Sequence, residues 1–188
     1  MDSPERTPAP APAAIAAPDR LARLRAFVFR LGFNFWPCIR GSGGRVVHLA
    51  PDFTRITVRL PLNWRTRNAV GTIFGGSMFA ATDPMYMLML QRLLGRGFVV
   101  WDKGSAIRFK RPASRTLFAH FHVTPEMLAQ VRETVAACGE ADFTWPVRLE
   151  DAGGVVHAEI DRTLYVADKA FYKRKQDART ARTQELAA

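Results

Sequence analysis

The spacing of apolar residues changes along the chain, and this change separates extended segments from helical ones. RITVRL at 55–60 places Ile56, Val58 and Leu60 on one side and arginine or threonine on the other, which predicts a strand with one buried face. FVVW at 98–101 is apolar throughout, as in a strand buried on both faces. Further extended segments are AIRFK, LFAHFHV, FTWPVRLE and VVHAEIDRTLYVA, and DAGG between the last two predicts a hairpin.

Three other segments carry helical signals. Asp19 is a good N-cap and precedes apolar residues at helical spacing, which predicts an amphipathic helix over residues 19–40. GSGG at 41–44 then predicts a flexible joint. NAVGTIFGGSMFAATDPMYMLML, residues 68–90, is apolar apart from Asp83 and predicts a long buried helix. TPEMLAQVRETVAAC starts with a Thr-Pro pair and precedes a glycine, which predicts a shorter helix.

The order of these elements indicates how they pack. Short loops join the late strands, so these strands are expected to be antiparallel neighbours. A long helix that is apolar on nearly all sides must be enclosed by the sheet. The sequence therefore predicts an α+β domain over residues 45–170 with the hotdog architecture, in which a curled antiparallel sheet wraps one long central helix.

The two ends of the chain differ from this domain in composition. The Pro/Ala-rich residues 1–18 are expected to form a disordered arm, and they lack the pattern of a signal peptide. Residues 171–188 are expected to form a polar tail. The two cysteines, Cys38 and Cys138, make neither a disulfide framework nor a zinc motif, which favours a reducing, cytoplasmic location.

The chain is strongly basic, with a formal net charge of +10. This charge favours an anionic partner such as nucleic acid, anionic lipid or a phosphate-bearing small molecule, or it only keeps the protein soluble. Nucleic acid is disfavoured because the chain lacks the interleaved aromatic and basic residues of a known binding module. The basic helix at 19–40 is compatible with peripheral membrane contact, but its pattern favours packing of the apolar stripe on the domain. The stripe comprises Leu21, Leu24, Phe27, Val28 and Leu31.

Asp83 is the only charged residue between 68 and 90, and Pro84 follows it. The charge, the proline and the Gly75–Gly76 pair count against a transmembrane helix. Desolvation raises the pKa of a carboxylate in apolar surroundings, which suits a general base working near neutral pH. An Asp-Pro pair is also a good N-cap and first residue of a second helix. The residues alone leave both interpretations open.

Gly75 and Gly76 let a ligand approach the backbone at the start of the predicted helix, where unpaired N–H groups can hold an oxyanion. Asp83 follows eight residues after Gly75, about 12 Å along a helix axis, so one helix cannot bring both to the same carbonyl. Antiparallel helices in a two-fold dimer would place Gly75 of one subunit opposite the partner's Asp83. This arrangement predicts composite sites in a homodimer or a dimer of dimers.

A motif N-x-x-G-T-x-x-G-G begins at Asn68 and precedes Asp83. With this spacing, the chain resembles the PaaI-like branch of hotdog acyl-CoA thioesterases over roughly residues 45–167. The segments VVWDK and IRFKRPA are similar to an uncharacterised branch of the same superfamily, classed as a domain of unknown function. The resemblance implies an acyl-CoA or other acyl thioester substrate, with no cofactor and no metal.

The resemblance also implies a role for each motif residue. The Gly75 N–H would polarise the thioester carbonyl, Asp83 would act from the partner subunit as general base or nucleophile, and Asn68 would place water or substrate. Two residues depart from the family pattern: Phe74 replaces a histidine beside Gly75, and Pro84 interrupts the helix. Both departures favour a rival class, a non-catalytic hotdog protein that binds an acyl chain or lipid.

A second group of residues is expected to bind substrate: Phe74, Gly76, Met78, Asp102, Arg108, Lys110 and Arg111. The three cations either hold the phosphates of CoA or form the solvated face of a strand. Met78 suits an acyl tunnel or an ordinary core. Asp102 is either a second polar site residue or half of an ion pair with Lys103 in a turn. His120 and His122 share a strand face, but no further ligands with suitable spacing complete a metal site.

Overall fold

The computed structural model describes residues 19–187, so the arm predicted at 1–18 lies outside the described residues. The helices are α1 (Arg20–Phe35), α2 (Pro37–Ser42), α3 (Gly75–Ala81), α4 (Met85–Leu94), α5 (Pro125–Cys138) and α6 (Lys169–Ala187). The strands are β1 (Arg45–Leu49), β2 (Arg55–Leu60), β3 (Phe98–Phe109), β4 (Leu117–His122), β5 (Glu140–Glu150) and β6 (Val156–Asp168).

The strands form one antiparallel sheet in the order β1-β2-β4-β5-β6-β3, so β1 and β3 are its edges. The alternation in the sequence matches this sheet. On β5, for example, Phe143, Trp145, Val147 and Leu149 are buried and the residues between them are exposed. The predicted α+β class with an antiparallel sheet is confirmed.

Two local signals in the sequence are also confirmed. Oγ1 of Thr124 caps α5 by accepting a hydrogen bond of 3.2 Å from the N–H of Met127. Asp151 begins the hairpin between β5 and β6, where its Oδ1 accepts hydrogen bonds from the N–H groups of Gly153 and Val155. Side chains that bond to nearby backbone in this way define helix starts and turns.

The predicted helix does start at Gly75, but its continuity is wrong, because the structure has two helices, α3 and α4, in its place. Residues 68–74 form turns and a short bridge, α3 starts at Gly75, and the chain leaves helical geometry at residues 82–84 before α4. Pro84 accounts for the break, since proline lacks an N–H and disfavours helical backbone at the residue before it. The capping interpretation of Asp83 is wrong as well, because Pro84 occupies the N-cap position of α4 and no side chain caps that helix.

The helix α4 is fixed to the sheet by its buried side. It buries Met85, Tyr86, Met89, Leu90 and Leu94. The ring of Tyr86 packs edge-on against Phe121 of β4 and Trp145 of β5, with ring centroids 5.0 and 5.2 Å away. Its hydroxyl donates a hydrogen bond of 3.1 Å to the carbonyl oxygen of Pro146. This packing also sets the position of the break that precedes α4.

The helix predicted over 19–40 is divided into α1 and α2, because Pro37 begins a new helix. Asp19 occupies the N-cap position of α1, but its side chain makes no capping hydrogen bond. Within the segment predicted as a flexible joint, residues 41 and 42 belong to α2, and Gly43 takes the left-handed conformation that ends many helices.

The apolar stripe of α1 faces away from the domain, so the expectation that it packs on the domain is wrong. All five of its residues are exposed, and α1 buries Ala26 and Phe33 instead. The predicted polar tail at 171–188 belongs to α6 as far as residue 187. Among the described helices, none combines the length and the apolar character needed to span a bilayer.

Candidate active site

The break between α3 and α4 leaves Asp83 next to a buried arginine of β6. The side chain of Arg162 is 3% exposed, and its Nη2 donates hydrogen bonds of 2.8 Å to the carbonyl oxygen of Phe79 and to Oγ1 of Thr82. Its Nη1 lies 3.7 Å from Oδ2 of Asp83, whose side chain is 46% exposed. Arg162 therefore binds the end of α3, where helix carbonyls lack partners, and holds one oxygen of Asp83.

Asp102 of β3 adds a second carboxylate beside this guanidinium. Burial, and secondarily the charge of Asp83, raise the pKa of Asp102 from 3.8 to about 6, against the opposing charge of Arg162. Oδ2 of Asp102 and Nε of Arg162 are buried, and neither has a hydrogen-bond partner among the described residues. When two neighbouring carboxylates lie in different environments, one can act as a general base while the other stays protonated.

The alternative pairing of Asp102 with Lys103 in a turn is wrong. Both residues lie within β3, and Nζ of Lys103 is 2.5 Å from Oδ2 of Asp142 on the solvent side. Successive residues of a strand point to opposite faces, so the two side chains separate. Asp102 is thereby left facing the break between α3 and α4.

Arg162 is a functional candidate that lies outside the recognised motif. It occupies a buried position of β6 in line with Ala158, Ile160, Leu164 and Val166. An arginine is buried in this way only when its charge and its N–H groups find partners. The cation at a core position of VVHAEIDRTLYVA is therefore the sequence signal that identifies it.

A cavity of about 600 Å³ lies near the opposite end of α3. Its walls include the predicted residues Asn68, Gly75, Met78, Lys110 and Arg111. The other predicted residues are not on its walls, and these are Phe74, Gly76, Asp83, Asp102 and Arg108. The structure thus gathers predicted residues at two places, the cavity near the start of α3 and the carboxylate cluster near its end.

Asn68 shapes one wall of this cavity. Its Oδ1 accepts hydrogen bonds from the N–H groups of Val70 (3.1 Å) and Thr72 (3.0 Å), and its Nδ2 donates to Oγ1 of Thr72 (2.9 Å). These bonds hold the loop 68–72 in a turn that precedes α3. The role of Asn68 in placing water or substrate stays a prediction.

Two phenylalanine rings lie against the glycines at the start of α3. A Cβ atom on Gly75 would be 2.7 Å from the ring of Phe109, and one on Gly76 would overlap the ring of Phe74. Both rings are 57% exposed. Phe74 is the N-cap residue of α3, and no side chain caps this helix. The glycines therefore leave room for aromatic rings, and the ring of Phe109 lies beside Gly75 at the cavity.

The three predicted phosphate-binding cations differ in their partners. Nη2 of Arg108 is 2.9 Å from Oδ2 of Asp161, and Nζ of Lys110 is 3.0 Å from Oε2 of Glu159. The side chain of Arg111 makes no hydrogen bond or ion pair with any residue that the structure describes. Arg111 is therefore the member of this group with its donors available at the cavity.

Of the two histidines that share a strand face, His120 has local partners. Nδ1 of His120 lies 3.2 Å from Oγ1 of Thr57, and its Nε2 lies 3.7 Å from Oε1 of Glu150. Within residues 19–187, no group of three or more His, Cys, Asp or Glu side chains is placed to hold a metal ion.

The sheet order and the helices set against it define the hotdog fold of thioesterase-like proteins. A Pseudomonas aeruginosa protein of unknown function, named as a probable thioesterase, shares 22% identity and a TM-score of 0.65, over 81% of this chain and 97% of that one. A thioesterase from Haemophilus influenzae shares 14% identity and a TM-score of 0.55, over 73% and 87%. A Chlorobaculum tepidum protein of unknown function shares 13% identity and a TM-score of 0.61, over 81% and 97%. These similarities establish the fold.

Residues 25–166 match the family described as a domain of unknown function, DUF4442, and the chain belongs to this family. The expected membership of an uncharacterised branch of the hotdog superfamily is confirmed. No curated protein matches the sequence.

The raised pKa of Asp102 predicts how stability depends on pH. Because the folded chain binds this proton more tightly than the unfolded chain, the protonated group stabilises the fold fully below pH 3.8, and this contribution is lost as the pH rises through about 6. Asp102→Asn mimics the protonated side chain at every pH. We expect its melting temperature to exceed that of the wild type by a margin that grows as the pH rises through this window. A margin independent of pH would contradict the assignment.

Proposed function

We propose that the protein is a thioester hydrolase of the acyl-CoA thioesterase type, with active sites shared between two subunits of a dimer. The observation that supports this most directly is the separation of Gly75, at the cavity, from Asp83, at the carboxylate cluster. Gly75 is the first residue of α3 and Asp83 lies in the break that follows it, so the seven residues of α3 already span about 10 Å between them. A two-fold axis beside α3 would bring Gly75 of one subunit opposite the partner's Asp83.

In the proposed reaction, Gly75 of one subunit and Asp83 of its partner have different roles. The thioester carbonyl lies at the cavity wall, where the N–H of Gly75 stabilises the oxyanion. The partner's Asp83 removes a proton from water, and the water oxygen bonds to the carbonyl carbon. The C–S bond then breaks, and the leaving thiolate takes up the proton, which yields a carboxylic acid and a free thiol. The exposure of Asp83 supports this role, since a carboxylate that is 46% exposed is accessible to water and to a second subunit.

Arg162 and Asp102 support the base from within its own subunit. Arg162 lies 3.7 Å from one oxygen of Asp83, and this ion pair would restrain the half-exposed carboxylate at the proposed interface. The raised pKa of Asp102 means that it keeps its proton to a higher pH than an ordinary aspartate does. A carboxyl group that can stay protonated therefore lies beside the proposed base, Asp83. The cytoplasmic location is part of the proposal and agrees with the exposed free thiols of Cys38 and Cys138.

The function is tested with a panel of acyl-CoA thioesters of increasing chain length and a readout of free thiol. We expect turnover above the background rate, with a preferred chain length, from a protein that sediments as a dimer or tetramer at micromolar concentration. A stable monomer that hydrolyses the same thioesters would contradict the shared site, because Gly75 and Asp83 of one chain cannot reach one carbonyl.

Arg111 is expected to bind the phosphates of CoA. Arg111→Gln should raise KM for an acyl-CoA roughly 10-fold with little change in kcat, as the loss of one charge-assisted hydrogen bond requires. The wild-type KM should rise with salt in the same assay, since salt screens exposed charges. The measurement is steady-state kinetics on the wild type and the variant.

Two controls accompany the Arg111 variant. Arg108→Gln removes a cation that pairs with Asp161 away from the cavity, and its KM should stay within about twofold of the wild type. An acyl thioester of pantetheine lacks the nucleotide phosphates, and its KM should not respond to Arg111→Gln. If Arg111→Gln raised KM equally for both thioesters, Arg111 would not bind the nucleotide phosphates.

A second candidate function is binding of an acyl chain without turnover. The ring of Phe109 beside Gly75 favours it, because the ring packs where a Cβ of Gly75 would stand and narrows the space at this wall of the cavity. A protein of this kind would bind an acyl-CoA, shown by calorimetry, and release no thiol over many hours. Phe109→Ala separates the two candidates: it should increase turnover if the ring limits access to Gly75, and it should only weaken binding otherwise.

A further inference from the structure

The outer side of α1 carries an apolar surface that no described residue covers. We define the outer stripe as Leu21, Leu24, Phe27, Val28, Leu31 and Phe35, whose side chains are between 48% and 62% exposed. Their spacing of three and four residues places them along one side of a helix about 24 Å long. Six bulky apolar residues on one exposed helix side form a contiguous patch of the kind that marks an interaction surface.

The opposite side of α1 fixes the helix to the domain. Ala26 and Phe33 are buried there, and Phe29 packs edge-on against Phe53 with ring centroids 5.2 Å apart. Asn34 exchanges two hydrogen bonds with the backbone of Val46 on β1, of 2.8 and 2.9 Å. Because these contacts set the rotation of α1, the outer stripe is held facing outward.

Apart from Asp19 at the N-cap of α1, the charges on α1 and α2 are all positive. Arg20, Arg23, Arg25 and Arg30 lie on α1, and Arg40 follows on α2, whereas no aspartate or glutamate occurs between residues 20 and 51. Arg23 and Arg30 border the stripe on one side and Arg25 on the other, at helical spacing. Trp36, exposed at the end of α1, adds an amphipathic aromatic ring. Apolar side chains bordered by arginine and ended by tryptophan are typical of helices that lie in a membrane interface.

A shallow basic cavity adjoins the stripe. It has a volume of about 390 Å³ between α1 and β1, and its walls include Arg23, Arg30 and His48. Nη1 of Arg30 donates a hydrogen bond of 2.7 Å to the carbonyl oxygen of Val47, which holds the guanidinium at this wall. A lipid phosphate at the level of the headgroups would meet these cations while the outer stripe enters the acyl boundary.

We propose that the outer stripe of α1 docks the protein on an anionic membrane surface. The charges decide between this surface and a second copy of the chain. A two-fold contact brings the same patch of both copies together, which would set arginine against arginine around the stripe. Anionic lipid instead compensates every arginine, and the arginine stems extend along the apolar boundary while their charged groups reach the phosphates.

The test is cosedimentation of the full chain with vesicles of phosphatidylcholine, with and without phosphatidylglycerol. We expect binding to the mixed vesicles, weaker binding at high salt, and little binding to phosphatidylcholine alone. Leu24→Ser/Phe27→Ser/Leu31→Ser should reduce the affinity about 10-fold or more through lost apolar burial. Arg23→Gln/Arg25→Gln should reduce it by a similar factor through lost attraction to the anionic surface. Circular dichroism and melting temperature show whether these surface variants remain folded.

The matched control removes two exposed arginines elsewhere. Arg179→Gln/Arg182→Gln lowers the net charge by the same amount on α6, which contacts β3 and β6 at the other edge of the sheet from α1. Its affinity should stay within about twofold of the wild type. An equal loss in this control would reduce the effect to net charge and overturn the proposal. Self-association through the stripe, with no vesicle binding, would overturn it in favour of a second copy.

Discussion

Asp83→Asn is expected to lower kcat for acyl-CoA hydrolysis by about 100-fold or more, because the amide cannot accept the proton of the attacking water. Asparagine keeps the size of the side chain and retains an oxygen for Arg162, so the melting temperature should change little. Steady-state kinetics and thermal melting on the same preparation measure both effects. A folded variant with normal kcat would mean that the carboxylate is structural, and the acyl-binding alternative would then take over.

A complementation experiment asks whether Asp83 acts across the interface. The second parent is Gly75→Pro/Phe109→Ala, in which proline removes the N–H of Gly75 and alanine makes room for its ring. Proline is tolerated at the first position of a helix, and Phe74 before it already has the extended backbone that a following proline requires. This variant should be nearly inactive, whereas Phe109→Ala alone keeps the N–H and should remain active.

Mixing the two inactive parents then distinguishes a shared site from a site within one chain. In a mixed dimer, Gly75 of the Asp83→Asn subunit meets an intact Asp83 of the other parent, so one site of two is restored. Random exchange of subunits makes about half of the dimers mixed, which returns about a quarter of the wild-type activity. Once subunit exchange is verified, a mixture as inactive as its parents would place Gly75 and Asp83 in a site within one chain and refute the shared site.

The strands β2, β4, β5 and β6, the helix α5 and the β5–β6 hairpin follow from the sequence because their local signals agree with their surroundings. FVVW and AIRFK, predicted as separate strands, are instead one edge strand, β3, and Trp101 is exposed there, so the expectation that FVVW is buried on both faces is wrong. The alternating residues of FTWPVRLE lie on a sheet with one buried face, so the period alone identifies the core side. Thr124 and Asp151 satisfy nearby N–H groups whatever the rest of the fold does. Agreement of this kind between local preference and tertiary contact is what makes an element predictable.

The orientation of α1 could not be predicted in the same way. Helical spacing shows which residues share a side, but not which side meets the domain. Two apolar sides compete on this helix, and the smaller one, with Ala26 and Phe33, packs inward because Asn34 can also bond to β1 there. A side chain that satisfies backbone groups at a sheet edge can outweigh a more hydrophobic stripe.

The motif residues of the candidate site could be predicted from the sequence, whereas the residues that surround Asp83 could not. Asn68, Gly75 and Asp83 are recognised by spacing, and their separation along the chain is what led to the proposal of a site shared between two subunits. The break at Pro84 removes the cap role from Asp83, because the helix restarts one residue too late for its side chain. Which charge would meet Asp83 depends on the strand order, since β6 is distant in sequence and reaches the break only through the fold.

Arg162→Met is expected to lower the free energy of unfolding by about 3 kcal/mol, or the melting temperature by roughly 10 °C. Methionine fills much of the same volume but leaves the carbonyl oxygen of Phe79 and the hydroxyl of Thr82 without their donor. It also leaves Asp83 and Asp102 without a compensating cation. Arg148→Met is the matched control, because that arginine is exposed and 3.7 Å from Glu159, and its loss should cost little. Denaturant unfolding measures both variants.

The same variant separates a positioning role from a purely structural one. The charge of Arg162 lowers the pKa of Asp102, so its removal should raise that pKa above its present value of about 6. The pH at which Asp102 ceases to stabilise the fold should then move upward, and adding Asp102→Asn should abolish the shift and recover part of the lost stability. Arg162→Lys keeps the charge but not the paired donors, so it should restore the pH profile more fully than it restores kcat. The contrary outcome is that Arg162→Met lowers only the stability and leaves both kcat and the dependence of stability on pH unchanged. In that case, Arg162 stabilises the end of α3 and has no part in positioning Asp83.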